Sequence, residues 1–331
     1  MLQIFAITFP FFALIAAGYL AARCRLLPLE AIPGLNAFVL YFALPCMLYR
    51  FGAGTPIGQL LDGSVALVWG AGALAVVGGV MALTRRGPRS WNDAAFGALV
   101  AAFPNTGFMG VPLLAALLGA QAVGPVIITM AFDMVVTSSL CIALSRLDGV
   151  GDRVGGTSPG TSRGGAAQAL RQALRGMLRN PMPWAMLLGA LASALQYRAP
   201  APVDATVAML ASAASPAALF TIGAVLARSA LQARATGHRA PVGEVLPVVV
   251  AKLVVHPLLV YGLAQGARAI GLPLDRTALV ALVLVAALPS ASNVSMLAER
   301  FGADNGRIAR IILWTTVAAF FSFPLLAAWL H

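Results

Sequence analysis

Long apolar runs interrupted by few charges recur along almost the whole of this chain, and they leave it one setting in which to fold. About 20 apolar residues wound as an α-helix at 1.5 Å per residue cross roughly 30 Å of hydrocarbon. Ten such runs occur, at approximately 2–22, 31–51, 64–84, 93–119, 122–146, 181–198, 204–228, 242–266, 277–300 and 305–330. Of the 331 residues 60% are hydrophobic and 10% charged, with a mean hydropathy of +0.87, beyond an ordinary soluble domain. Lipid offers a backbone no hydrogen bonds, so each run is expected as a helix and the fold class as an all-α polytopic membrane protein. The first run has no basic stretch before it and ends at Arg23 rather than at a small-residue cleavage site, which marks a span rather than a removed signal.

The formal net charge is +11, but the arginines are scattered through short loops, unlike a nucleic-acid footprint. Placing the N-terminus outside puts 17 of the 22 basic residues on the cytoplasmic side, among them Arg23, Arg25, Arg85, Arg146, Arg228 and Arg300. The other side receives Arg198, Arg268 and Arg276. That bias predicts a multi-pass protein of the cell (inner) membrane with both termini outside the cytoplasm. The one long connection, 147–180, is rich in Gly, Ser and Arg and reads as a cytoplasmic linker between a five-span unit over 1–146 and another over 181–331. Five is odd, so the second unit enters the membrane in the opposite sense, the inverted-repeat condition. Faint self-similarity agrees: Leu44-Pro45 leads to Gly52-Ala53 in span 2 as Ser215-Pro216 leads to Gly223-Ala224 in span 7.

Spans 4 and 9 are each broken near mid-depth by proline and small polar residues, Pro104-Asn105-Thr106-Gly107 and Pro289-Ser290-Ala291-Ser292-Asn293. Proline lacks an N–H and strips a carbonyl of its partner, and lipid cannot replace it. Half-helix N-termini carry partial positive charge, so two crossed breaks would gather N–H donors around an anionic solute. Asn105, Thr106 and Gly107 from one half, with Ser290, Ser292 and Asn293 from the other, are the candidate substrate-binding residues. Pro104, Pro289, Gly110 and Pro112 are the candidate break and hinge positions. A plainer reading, proline kinks healed by neighbouring helices, stays open, as does the choice between a hinge and a tolerated irregularity at Gly110-Val111-Pro112.

Asp133 in span 5 and Lys252 in span 8 are charges within apolar runs, costly there unless paired or hydrated. Their levels differ by about 8 Å, within reach of a lysine stem, so a salt bridge is expected. Such a pair either fastens the two spans or couples transport to an ion, with a proton or cation at Asp133 competing with Lys252. His256, beside Pro257, reads as a packed residue. Cys24, Cys46 and Cys141 lack metal-ligand spacing and read as inert packing residues.

Phe103-Pro104-Asn105-Thr106-Gly107-Phe108-Met109-Gly110-Val111-Pro112-Leu113 and Leu288-Pro289-Ser290-Ala291-Ser292-Asn293 resemble the two core segments of the auxin efflux carrier family, and Asn180-Pro181 also resembles its pattern. The resemblance implies a scaffold of spans 1, 2, 6 and 7 and a mobile transport domain of spans 3–5 and 8–10, with the broken spans crossing at the substrate. It also implies an organic-anion substrate, a mono- or dicarboxylate such as malonate or malate, met by Asn105 and the Ser290–Asn293 stretch.

The expected function is secondary transport of such anions by alternating access. The rivals are a cation/proton antiporter using Asp133 and a non-transporting membrane sensor. An enzyme is not expected: no metal-binding histidine pair, Gly-x-Ser-x-Gly elbow or ATP-binding Gly-x-x-x-x-Gly-Lys motif occurs. No metal or cofactor is expected beyond a coupling H+ or Na+. The expected partners are the small organic anion, membrane lipid and a second copy of the chain docked through the scaffold, and not nucleic acid.

Overall fold

The fold is taken from a computed structural model, which describes residues 2–55, 58, 62–85, 89–147, 181–235 and 241–330. The predicted linker, Leu147 apart, and Asn180 lie outside the described residues. Helix is the regular structure of the described chain, in twelve pieces. They are α1 (Leu2–Arg23), α2 (Leu29–Gly54), α3 (Gly63–Arg85), α4 (Trp91–Ala102), α5 (Thr106–Leu118) and α6 (Ala120–Leu144) in the first half. The second half contains α7 (Pro181–Ala194), α8 (Ala201–Ala235), α9 (Val242–Ala269), α10 (Arg276–Ala287), α11 (Asn293–Arg300) and α12 (Asn305–Leu330). Seven of these, α1, α2, α3, α6, α8, α9 and α12, are long and apolar enough to cross a membrane. Spans 4 and 9 are each divided, into α4 with α5 and α10 with α11. The predicted limits hold to within a few residues except in span 7, where α8 continues as helix to Ala235.

Three prolines inside these helices are accommodated by local widening, while Pro10, Pro216, Pro247 and Pro324 stand in regular α-helix. Five-residue π turns at Val39–Ala43, Thr106–Gly110 and Ala251–Val255 each end two residues before a proline, at Pro45, Pro112 and Pro257. A proline ring crowds the carbonyl four residues back, and the wider turn relieves that crowding without ending the helix. The irregularity at Gly110-Val111-Pro112 is this turn. A fourth π turn, Asp133–Thr137, is not followed by proline and opens on the carboxylate buried in α6.

Two helix pairs approach backbone to backbone. α1 lies along α8, where a Cβ on Gly18 would strike the backbone of Phe220 and one on Gly223 the backbone of Ile15. α2 lies along α7, where Gly52 faces the backbone of Met186 and Ala190, and Gly189 that of Tyr49 and Ala53. Thus the first helix of each half crosses the second helix of the other. The spacing is equal too, since Gly52 follows Gly18 by 34 residues and Gly223 follows Gly189 by 34. Elsewhere α3 packs on α4 and α9, α9 on α10, and α10 on α12.

The cysteines are not alike: Cys141 is buried, Cys46 half-buried and Cys24 exposed just beyond α1. The packing role expected of Cys24 is therefore corrected.

Gly223→Val and Gly189→Val should each destabilise the protein by about 1–3 kcal/mol through overpacking. Gly79→Ala, whose added methyl meets nothing within 4 Å, should leave stability unchanged or slightly raised. Thermal unfolding of the purified protein in detergent checks both expectations.

Candidate functional site

The two interrupted spans meet. Pro104 and Ser290 form an antiparallel bridge in which the Asn105 N–H donates to Pro289 O at 2.8 Å and the Ala291 N–H to Phe103 O at 3.0 Å. Each break therefore supplies the main-chain partners that the other lacks.

The carbonyls freed at the breaks are also met, one across the crossing and one from α9. Pro104 has no N–H to offer Val100 O, and the Ser290 hydroxyl donates to it at 2.6 Å. In the other half the Ser290 N–H turns aside to Thr315 Oγ1 at 3.2 Å, and Lys252 Nζ donates to Ala286 O at 2.8 Å. A hydroxyl thus caps the C-terminal end of α4, and a cation that of α10, where the helix dipole is negative. Pro112 would leave Phe108 O without an amide four residues on, and the Ser215 hydroxyl of α8 donates to it at 3.2 Å.

Helices α5 and α11 begin at the crossing, and the first amides of any helix have no intrahelical acceptor. Asn105 immediately precedes α5 and Asn293 opens α11. The Oδ1 atoms of both are buried without a hydrogen-bond partner. Rotating a carboxamide exchanges acceptor for donor, so each asparagine can present an NH₂ to a carboxylate. Asn105, Thr106 and Ser290 are at most 2% exposed, whereas Gly107, Ser292 and Asn293 are half-buried.

The other candidates fall nearby with distinct duties. The Thr106 hydroxyl turns to Pro104 O at 3.5 Å, and Gly107 faces Met130 Sδ. Gly110 has no side chain where one would meet Leu288, which lets α5 lie against the end of α10. Ser292 is half-buried, and its carbonyl accepts from the N–H and hydroxyl of Ser295. Ser290, engaged with Val100, acts as a cap before anything else.

Asp133 and Lys252 are both fully buried, each within a π turn. The salt bridge expected between them is not formed. Asp133 Oδ1 accepts from Trp69 Nε1 at 3.1 Å and from Thr137 Oγ1 at 2.8 Å, while Lys252 reaches the freed carbonyl of Ala286 and lies 3.4 Å from His256 Nδ1. The His256 ring lies 5.2 Å from that of Trp69. Asp133 Oδ2 and His256 Nε2 are buried without partners. His256, read from sequence as a packing residue, thus joins a buried polar cluster.

Trp69, Thr137 and Thr315 do not stand out in the sequence, and Ser215 does so only in the repeat match with Leu44-Pro45. Thr137 had a signal, standing four residues after Asp133 on the same helix face; Ser215 had one in Pro216 beside it. Trp69 and Thr315 had none, since tertiary packing alone brings them to Asp133 and Ser290.

A bundle of apolar helices, seven of them long enough to cross a membrane, organised around two mutually bridged breaks fits an integral membrane protein. The chain belongs to the membrane transport protein family, whose profile matches residues 3–327. It is 31% identical over 320 residues to a protein of Rhizobium meliloti (strain 1021) named "Putative malonate transporter", across 96% of this chain and 92% of that one. The resemblance carried by the two core segments is thereby upheld.

Ser290→Ala bares the Val100 carbonyl and should cost about 1–3 kcal/mol of stability. Pro104→Ala supplies a main-chain N–H that can meet that carbonyl once Phe103, extended here at ψ 100, turns helical, so the loss from Ser290→Ala should shrink in the double variant. A double-mutant cycle by thermal unfolding measures this coupling, and strictly additive effects would contradict it.

Proposed function

We propose that this protein is a secondary transporter of small organic anions, malonate or a similar mono- or dicarboxylate, held at the crossed breaks during alternating access. The observation that carries the proposal is the contrast between helix ends at the crossing. The C-terminal ends of α4 and α10 are capped by Ser290 and Lys252, whereas α5 and α11 start there beside two asparagines with unpartnered buried oxygens. The first amides of those half-helices, and either carboxamide once turned to present its NH₂, call for a ligand that accepts hydrogen bonds, and a carboxylate does so with two oxygens. The relative's name points to the same chemistry.

In this reading the shorter apolar helices also cross, giving ten spans in two inverted repeats. The matched glycine crossings and the equal 34-residue spacing support the repeat. The scaffold is α1, α2, α7 and α8, and the remaining helices form the transport domain. Basic residues at Arg23, Arg85, Arg146, Arg228 and Arg300 favour both termini outside. Because Asn105, Thr106 and Ser290 are buried, a solute reaches them only when one helix group moves against the other.

The membrane potential drives anions outward by about 2.3 kcal/mol per charge per 100 mV, so uptake requires an accompanying cation. Asp133, with a buried unpartnered oxygen, and Lys252 are the proposed coupling residues. The same oxygen favours the second reading, a cation/proton antiporter, which predicts no carboxylate flux.

Labelled malonate should enter proteoliposomes carrying the protein, and Asn105→Ala or Asn293→Ala should lower the initial rate about tenfold, the loss of one good hydrogen bond to a charged ligand. Unaltered flux in both variants, or flux no greater than in empty vesicles across a panel of carboxylates, would contradict the site.

Asp133→Asn preserves shape and removes the charge. It should abolish dependence of uptake on an imposed H+ or Na+ gradient while leaving exchange of labelled for unlabelled malonate intact. Gradient dependence that persists in this variant assigns Asp133 to fastening instead.

A further inference from the structure

α9 packs on α12 through its first half, while its second half turns to α10 and α3. Where α9 and α12 part, over the start of α10, the packing leaves a cavity of about 400 Å³. Its floor is apolar and buried, made by Leu279, Val280 and Leu330. Tyr261 of α9 and Trp329 of α12 close one wall edge to face, with ring centroids 5.4 Å apart. Gln265 donates to the Tyr261 hydroxyl at 3.1 Å.

The rim is cationic. Arg268, in the last turn of α9, and Arg276, the first residue of α10, line the cavity and are exposed. Among the described residues neither makes an ion pair or side-chain hydrogen bond. The neighbouring acid, Asp275, is engaged as the N-cap of α10, accepting the Ala278 N–H at 2.5 Å. Two guanidinium forks over a greasy floor match a phosphate attached to an apolar tail.

The surface beyond the mouth narrows the choice. Trp329, Leu325 and Phe321 are exposed and follow one another at four-residue intervals along α12, so they form a single apolar strip running away from the arginines. A soluble dicarboxylate has no use for that strip, and an acyl chain does. A tryptophan at a helix end, as Trp329 is in α12, also marks headgroup depth.

We infer that this wedge binds an anionic phospholipid, its phosphate between Arg268 and Arg276 and an acyl chain against Leu325 and Phe321. Because Leu279 and Val280 of the floor belong to α10, the lipid would hold the half-helix that leads to Pro289.

The test is thermal unfolding of the purified, delipidated full-length protein with phosphatidylglycerol, with phosphatidylcholine of the same chains, or with inorganic phosphate. Phosphatidylglycerol should raise the midpoint about 3 °C above phosphatidylcholine, and phosphate should not. Arg268→Gln with Arg276→Gln should erase that increment while matching the unaltered protein's midpoint in phosphatidylcholine. Arg198→Gln, an exposed arginine outside the wedge, should retain the increment. Equal shifts from the two lipids, an increment surviving in the double variant, or the same shift from phosphate alone would overturn the inference. Should the double variant not fold, native mass spectrometry of the unaltered protein decides: preferential retention of phosphatidylglycerol supports the site and equal retention overturns it.

Discussion

A backbone group in an apolar interior must find a partner within the protein, and here two interrupted helices find theirs in each other. An unmade bond of this kind costs about 1–3 kcal/mol. Two main-chain bonds between Phe103–Asn105 and Pro289–Ala291, with the Ser290 and Lys252 caps, remove that cost at four carbonyls. Either break alone would be a defect. Together they form a joint, and a displacement of α4 and α5 must carry α10 and α11 with it or break several bonds at once.

The joint is also electrically sorted. Its negative helix ends are covered by a hydroxyl and an ammonium, and its positive ends are left to Asn105 and Asn293. Lys252 belongs at once to this joint and to the cluster containing Trp69, Asp133 and His256, through Ala286 O on one side and His256 Nδ1 on the other. In the proposed transport cycle, that double membership gives ion and anion a common residue. Withdrawing the ammonium from Ala286 would bare a carbonyl at the crossing, so a change at Asp133 need not travel far to be felt there.

Much of this was legible beforehand because hydrocarbon leaves a chain few choices. Apolar run lengths located the helices, and Pro104 and Pro289 located the breaks within a residue or two. What the sequence could not state was how the freed groups would be met. Ser290 has the chemistry of a ligand contact, yet 190 residues back along the chain Val100 O needs its proton. Lys252 and Asp133 read as partners because both carry charge at similar depth, but nearer acceptors and donors claim them. Pairing of that kind depends on distances between helices distant in sequence, which no local pattern encodes. The π turns were hidden for another reason: proline announces strain, not whether a helix kinks, breaks or widens.

The character of the contacts also separates what is locked from what can slide. At Gly18 with Gly223 and at Gly52 with Gly189, backbone meets backbone, and a shift along either crossing would drive side chains into main chain. Between α1 and α12 the contact is aromatic, with Phe320 edge-on to Phe5 at 5.8 Å and to Phe12 at 5.4 Å. α8 touches α5 through the Ser215 hydroxyl. Such ring contacts are worth about 0.5–1.5 kcal/mol each beyond burial and tolerate several geometries, and a single hydroxyl can change acceptors. The stiff pairs fall within the proposed scaffold and the exchangeable contacts on its border with the helices of the crossing. In the proposed cycle, a motion that carries a bound anion would therefore meet least resistance along that border, with the joint travelling intact.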